Sequence, residues 1–422
     1  MKLALAHPGV GPFVQQTARA LLEADLLDSY WTTFAARPGT YWQRELVRIA
    51  SAAGLNIERD LRRREVTEVP ESFLRLSPRW ELITSFLRKI GADPRLVDAV
   101  WERGILSFDR GVARRGLSGV RGIYGYEYSA LASFREAARR GIARIYEVPS
   151  PEHDFVEGLI QREIEQFPEL DDGKRHYFLS RQKRRTERRR QEWALADLVI
   201  ANSTFTRNSY AAAGLDIGKV RIIPLGAPMV CRGESEGGSA SSGPLRVLWA
   251  GTFSIRKGAH YLLSAWRRLA PGRKAALQIF GANDVPRRLT ADLPHSIEFN
   301  STIPHADLFE RYRAADVLVF PTLCDGFGMV VTEAFAQGLP VIVTTRAGAA
   351  DLVRHGENGL IIPAGNAAAL AETLEWCIAH RTELKAMRNA ALETAAHWQW
   401  DHFRRTLAHN VVEGLRESGY SG

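Results

Sequence analysis

Cysteine is scarce in this chain. Three occur among 422 residues, Cys231, Cys324 and Cys377, and they share no metal-ligand spacing. That excludes a disulfide framework or zinc ribbon and sets the expectation of a reducing compartment, the cytoplasm. Long apolar runs are missing too: with no stretch of about 18 apolar residues, no transmembrane helix is predicted. The opening Met1-Lys2-Leu3-Ala4-Leu5-Ala6 is too short for the apolar core of a secretory leader, and the Gly/Pro loop behind it suits a first strand. That loop, His7 to Pro12, has Gly9 and Gly11 of a Gly-x-Gly-x-x-Gly fingerprint but Val14 in the third place, which argues against a nicotinamide site. A Walker A order, a recognisable nucleic-acid module, an Asp-x-Asp pair and any His/Asp/Glu cluster with ligand spacing are likewise absent. No nucleic-acid partner, metal or resident cofactor is expected.

At this length two domains are the prior, and 45% hydrophobic with 25% charged residues is a globular composition. Charge is uneven. Residues 1–225 hold 36 Lys and Arg against 29 Asp and Glu, a net +7, and the remainder 20 against 19, a net +1. The first half is therefore the part expected to meet an anionic partner. Its clusters are Arg44, Arg48, Arg59 and Arg62–Arg64, with Trp42, Trp80 and Trp101 among mostly helical residues 40–115, and the run 174–190, with nine Lys/Arg against one Glu. The run reads as an exposed helix, solvated or held to lipid headgroups at the inner membrane leaflet.

The chain is organised around VLVFPTLCDGFGMVVTEAFAQGLPVIVTT, residues 317–345. A short β-branched strand ends at Pro321, a glycine loop follows at Asp325-Gly326-Phe327-Gly328, a helix runs over 329–337, and a second buried strand begins at Pro340. A strand feeding a glycine loop into a helix N-terminus is an anion site, because free amides and the helix dipole converge there. Two carboxylates flank it, Asp325 and Glu333, with seven residues between them.

This acidic pattern resembles that of retaining glycosyltransferase family 4, the glycosyl transferases group 1. The family usually has Glu at both ends, so Asp325 is a departure. The resemblance implies two Rossmann-like domains with parallel sheets facing a cleft, the GT-B architecture. It places the donor's diphosphate and sugar against the amides of Gly326, Phe327, Gly328, Met329 and Val330. It places the nucleotide ribose on Glu333 and the transferred sugar near Asp325. In AGTFSIRKG, residues 250–258, the family's lysine matches Lys257, while Thr252 stands in the place of its arginine and Arg256 supplies a cation nearby. The first glycine loop would lie at the cleft, bringing Gly11 to the donor. His153, just past a parallel strand in Val148-Pro149-Ser150-Pro151-Glu152-His153, would lie near the transferred sugar. In residues 346–351, RAGAAD, Ala349 and Asp351 depart from the family's Gly-Gly and Glu.

Taken in order, residues 2–6, 29–34, 120–124, 142–147, 195–201 and 220–223 read as strands of a first, acceptor-binding domain, residues 1–228. Residues 13–27 and 129–140 read as helices of the same domain. A flexible linker, 229–244, contains the low-complexity CRGESEGGSASSGP. A nucleotide-sugar domain follows over 245–395, with strands at 245–250, 276–280, 296–299, 316–320, 341–344 and 359–362. Helices are expected at 367–379 and 401–417, and residues 396–422 would cross back onto the first domain.

The resemblance implies transfer of a sugar from a UDP- or GDP-linked donor to a sugar, glycolipid or polysaccharide acceptor, with retention and without a metal. His153, Asp325 and Lys257 would be the catalytic residues. A non-catalytic nucleotide-sugar-binding protein, a sugar phosphorylase and an epimerase of the same architecture remain alternatives.

Overall fold

The computed structural model describes residues 1–36, 48, 61–171, 173, 175–231 and 243–420, with the backbone alone for 175–180. Arg44, Arg59, Trp42, Lys174 and the predicted linker residues 232–242 lie outside them.

The first sheet has seven parallel strands: β1 (Leu3–Ala6), β2 (Leu27–Thr32), β3 (Leu74–Leu76), β4 (Gly122–Tyr126), β5 (Ala143–Val148), β6 (Leu198–Ala201) and β7 (Val220–Ile222). Their order is β3-β2-β1-β4-β5-β6-β7. Its described helices are α1 (Pro12–Glu23), α2 (Arg79–Lys89), α3 (Pro94–Arg115), α4 (Leu131–Arg139), α5 (His153–Gln166), α6 (Arg175–Leu195) and α7 (Thr204–Ala212). The central strands are buried on both faces, as near-continuous apolar runs require.

The second sheet has order β12-β10-β8-β13-β14-β15, again all parallel. Its strands are β8 (Leu245–Ala250), β10 (Ala275–Phe280), β12 (Ile297–Asn300), β13 (Val317–Phe320), β14 (Val341–Thr344) and β15 (Gly359–Ile362); β9 (Phe253–Ser254) pairs with β11 (Asn283–Asp284) apart from it. The helices are α8 (Ala259–Leu269), α9 (Arg287–Thr290), α10 (His305–Ala314), α11 (Met329–Ala336), α12 (Ala367–Ala379), α13 (Arg381–His397) and α14 (Trp400–Glu417). Strand order reverses between β1 and β4 in one sheet and between β8 and β13 in the other. Crevices for ligands open beyond the carboxyl ends of strands at such points.

From α14, Phe403, Leu407, Val411 and Leu415 form a buried stripe at four-residue spacing. That stripe joins Leu3, Val14, Leu21 and Leu198 of the first domain in one apolar core. A Cβ on Gly414 would lie 2.7 Å from Leu198, so the helix seats against β6 only because residue 414 has no side chain. Arg404 fixes the other flank, bonded to Glu23 at 2.8 Å and Gln16 at 2.7 Å.

Several elements differ from the sequence expectation. Residues 195–197 belong to the end of α6 and a turn, which shortens β6. The edge strand β3 sits inside a stretch expected to be helical, and α13 follows α12 after the single residue His380.

The larger correction concerns the basic run. The described arginine side chains of α6, from Arg181 to Arg190, are paired, and Arg185, Arg188 and Arg189 turn inward. Arg185 meets Asp98 at 2.8 Å, Arg189 meets Glu127 at 2.7 Å, and Arg188 binds Asp109 and lies 3.3 Å from Glu192. Even the largely exposed Arg184 reaches Glu102 at 2.9 Å. The physical reason is helix α4. Glu192 accepts the amides of Ala130 and Leu131, both at 3.0 Å, and Asp109 accepts those of Ala132 at 2.7 Å and Ser133 at 2.9 Å. Two buried carboxylates thus cap one helix N-terminus. Burial pushes Glu192 up to about 7, and the Arg188 charge opposes that rise. The cations of α6 are therefore largely committed inside the domain and do not form a free face for lipid.

Removing Arg188 leaves Asp109 and Glu192 buried without their shared cation. Arg188→Ala is expected to cost about 3–5 kcal/mol, whereas Arg184→Ala, which removes a largely exposed arginine and leaves buried Glu102 with Arg181 and Arg185, should cost about 1 kcal/mol or less. Urea unfolding of the two variants checks the difference.

Candidate active site

The glycine loop after β13 is built by close approach. Gly328 has φ +91°, and a Cβ there would lie 2.5 Å from the Phe320 ring. Gly326 is constrained from outside the domain: a Cβ would stand 2.0 Å from the Pro149 carbonyl oxygen. Its own carbonyl accepts Ser203 Oγ at 2.6 Å and Thr206 Oγ1 at 3.2 Å. The loops after β5 and β6 therefore abut the acidic loop directly. Further contacts join the domains: His260 Nε2 with Glu163 at 3.0 Å, the Thr204 amide to Asp351 at 2.7 Å, and Arg288 to the carbonyls of Glu169 at 2.7 Å and Asp171 at 2.9 Å.

The loop after β8 comes to the same place. Gly258 has φ +78°, and a Cβ there would meet the Pro321 carbonyl at 2.0 Å. The Arg256 carbonyl accepts the Leu323 amide at 2.9 Å and Thr322 Oγ1 at 3.1 Å. Side chains converge as a result. Lys257 Nζ is hydrogen-bonded to Asp325 and lies 4.8 Å from the centre of the Phe320 ring. Arg256 stands 3.7 Å from Asp325 and donates to the Cys324 carbonyl at 3.1 Å. The Phe327 amide donates back to Asp325 at 3.2 Å. Met329 and Val330 open α11, whose first turn has no side-chain cap. First-turn amides lack partners within a helix, so these point out from its N-terminus.

Glu333, one turn further along, is buried with both oxygens engaged: Tyr312 Oη donates to one at 3.1 Å and His305 Nε2 lies 3.0 Å from the other. The bond to Glu333 holds His305 above the usual histidine value, against the effect of burial. A cavity of about 870 Å³ opens beside this pair. Gly251, Thr252 and Gly281 line it at the carboxyl ends of β8 and β10, His305 lines its far side, and Arg62 and Arg63 reach it from the first domain.

On the first-domain rim, His153 begins α5 and its Nε2 lies 2.9 Å from Glu127. Burial raises Glu127, but His153 and Arg189 outweigh it and keep the carboxylate below its ordinary range. Gly11 caps α1 with φ −57°, a value open to any residue, and a Cβ would rest 3.5 Å from Phe13. Its backbone does not require glycine. In the same loop His7 accepts the Gly9 amide at 2.8 Å, and burial pushes its pKa to about 4, so the ring stays neutral. Cys324 is buried and its thiol pushed up to about 11, which leaves it no thiolate character at neutral pH.

The structure thus brings Lys257, Arg256, Asp325 and the start of α11 together, with Thr252 lining a cavity that Glu333 meets through its partner His305. Sequence reasoning missed Glu127, Arg189, Tyr312, His305 and the cavity-facing role of Arg62 and Arg63. Only Glu127 carried a usable signal, its place at the carboxyl end of β4.

Residues 244–380 match the family model described as Glycosyl transferases group 1. The chain is 29% identical over 246 residues to a D-inositol 3-phosphate glycosyltransferase of Nocardia farcinica, covering 53% of this chain and 52% of that protein. It is 27% identical over 246 residues to a GDP-mannose-dependent alpha-(1-6)-phosphatidylinositol monomannoside mannosyltransferase of Mycobacterium tuberculosis, covering 52% and 62%. The match spans about half the length of the first of these relatives. Among solved structures, sucrose-phosphate synthase of Thermosynechococcus elongatus superposes with a TM-score of 0.64 at 18% identity, over 99% of this chain and 100% of that one. HepE of Anabaena in complex with UDP gives 0.61 at 15% identity, over 98% and 100%. The fold is the two-domain GT-B fold of these glycosyltransferase neighbours, and its second half carries the match to glycosyl transferases group 1.

Proposed function

We propose that this chain transfers a glycosyl unit from a nucleotide-diphosphate sugar to an acceptor hydroxyl with retention at the anomeric carbon. The observation that carries the reading is the convergence of Lys257, Arg256 and the uncapped N-terminus of α11 on Asp325, with a nearby cavity lined by His305, the partner of Glu333. Relatives point the same way: one is named as a GDP-mannose-dependent phosphatidylinositol monomannoside mannosyltransferase, and HepE is also solved with UDP-glucose. A UDP- or GDP-linked donor and a glycolipid or polysaccharide acceptor follow from the same reading, in the cytoplasm where three free thiols are at home.

The chemistry follows from charge. As the glycosidic bond to the diphosphate breaks, negative charge grows on the leaving oxygen. Lys257, Arg256 and the amides of Met329 and Val330 meet it, each well-placed donor being worth roughly 2.7–4 kcal/mol. In the free chain Asp325 occupies these cations; the diphosphate displaces it, and Asp325 turns to the sugar hydroxyls. His153, oriented by Glu127, holds the sugar from the other side. The acceptor attacks on the face the diphosphate leaves, and a leaving-group oxygen takes its proton. No nucleophile–acid carboxylate pair is then needed. Glu333 accepts the ribose hydroxyls, and the base lies in the cavity toward Gly281.

Three outcomes test this. Glu333→Gln should weaken nucleoside-diphosphate binding roughly 10- to 100-fold, the scale of a hydrogen bond to a charged group, with the unfolding temperature nearly unchanged; calorimetry reads it, and unaltered affinity would remove the ribose role. Protonated His305 holds Glu333, so its pairing is strongest below the histidine pKa and is lost as pH rises through it. Donor affinity should therefore increase across that range, and His305→Ala should flatten the profile. Cations and amides carry the leaving-group charge, so turnover should survive EDTA; abolition by chelator with rescue by manganese would overturn that part.

A further inference from the structure

Of the eight large apolar side chains exposed among the described residues, six lie between positions 76 and 96. Leu82, Phe86 and Ile90 are 53%, 62% and 59% exposed and recur every four residues, forming one stripe along α2. Ile83 and Leu96 widen it, the latter from the first turn of α3. The opposite side of α2 is seated: Gly104 of α3 admits Trp80 so closely that a Cβ would stand 2.9 Å from it. The stripe is therefore the outward face of a docked helix at the β3 edge of the first sheet.

Beside the stripe lies a second cavity, about 700 Å³, between α2 and α3. Arg79, Arg110, Arg114 and Arg115 line it together with Leu76 and Trp80, and no carboxylate does. Among the described residues none of these four arginines forms an ion pair, in contrast to the arginines of α6; Arg79 and Arg115 lie only over tryptophan rings. Arg75 and Arg88, both exposed, extend the positive rim, and of the two acids between positions 75 and 96 Glu81 is bound to Arg64 and Asp93 caps the Arg95 amide.

We propose that this face docks on a membrane of anionic phospholipid, with Leu82, Phe86 and Ile90 in the interface and a headgroup phosphate in the arginine cavity. Apolar side chains ringed by arginine match the layering of a bilayer surface, acyl chain beneath phosphate. A second copy is a poor occupant, because a two-fold contact would set the same cations against themselves. The face also has a route to the cleft: the Arg64–Glu81 pair, 2.5 Å, ties α2 to the segment whose Arg62 and Arg63 line the donor cavity. That docking presents a lipid-linked acceptor to the cleft rests on the glycosyl-transfer reading; the docking itself does not.

The test is cosedimentation of the full chain with vesicles of phosphatidylcholine alone or mixed with phosphatidylglycerol, at low and high salt, without donor. Binding is expected only to the anionic vesicles, and salt should weaken it. Phe86→Glu with Ile90→Glu, and separately Arg110→Glu with Arg114→Glu, should each lower partitioning roughly tenfold or more, with nucleoside-diphosphate affinity kept as the check on folding. Arg184→Glu should not lower it. No pelleting at low salt, or pelleting indifferent to both double variants, overturns the assignment while leaving donor binding intact. So does a concentration-dependent dimer that Phe86→Glu disperses, which would give the face to a second copy.

Discussion

The cleft depends on how closely two backbones meet at Gly326. The Pro149 carbonyl occupies the space a side chain would need, and Ser203 and Thr206 bind the Gly326 carbonyl from the first domain. Gly348 leaves equally little room, since a Cβ there would stand 1.9 Å from the same oxygen. The acidic loop is thus positioned as much by the opposite domain as by its own strand. Asp325, the next residue back, is carried to Lys257 by that seating, and the helix that holds Glu333 starts three residues on. Packing between domains and placement of charge in the site are one constraint.

Charge is used in two ways in the first domain. Along α6 it is used internally, on the two carboxylates that cap α4 and on Glu127, where a buried acid without a cation would be costly. Along α2 and α3 it faces solvent beside exposed apolar side chains. Net charge alone does not separate these uses; the partners do.

Much of the second domain was legible. Strands Leu245–Ala250, Val341–Thr344 and Gly359–Ile362 were expected at their observed bounds, because β-branched runs buried on both faces and ended by glycine or proline admit little else. The Lys257 and Asp325 loops were legible through their glycines. What escaped were contacts between residues distant in sequence. The basic run read as solvated because Asp98 and Asp109 lie some 80 residues earlier. His305 and Tyr312 were invisible as partners of Glu333 for the same reason. β3 is three residues long, too short for a period to declare itself. The break between α12 and α13 falls at His380, with neither glycine nor proline to mark it.

The seating of α14 on the first domain has a consequence for how the protein is made. Phe403, Leu407, Val411 and Leu415 complete a core whose other walls include Leu3, Val14 and Leu198. Synthesis runs at about 5–20 residues per second. The first sheet must therefore wait roughly 10–40 seconds beyond its own translation, with this apolar wall open. During that interval the nascent first domain exposes a groove shaped for a helix the ribosome has not yet made, and a chaperone that shields amphipathic surfaces would find its substrate there.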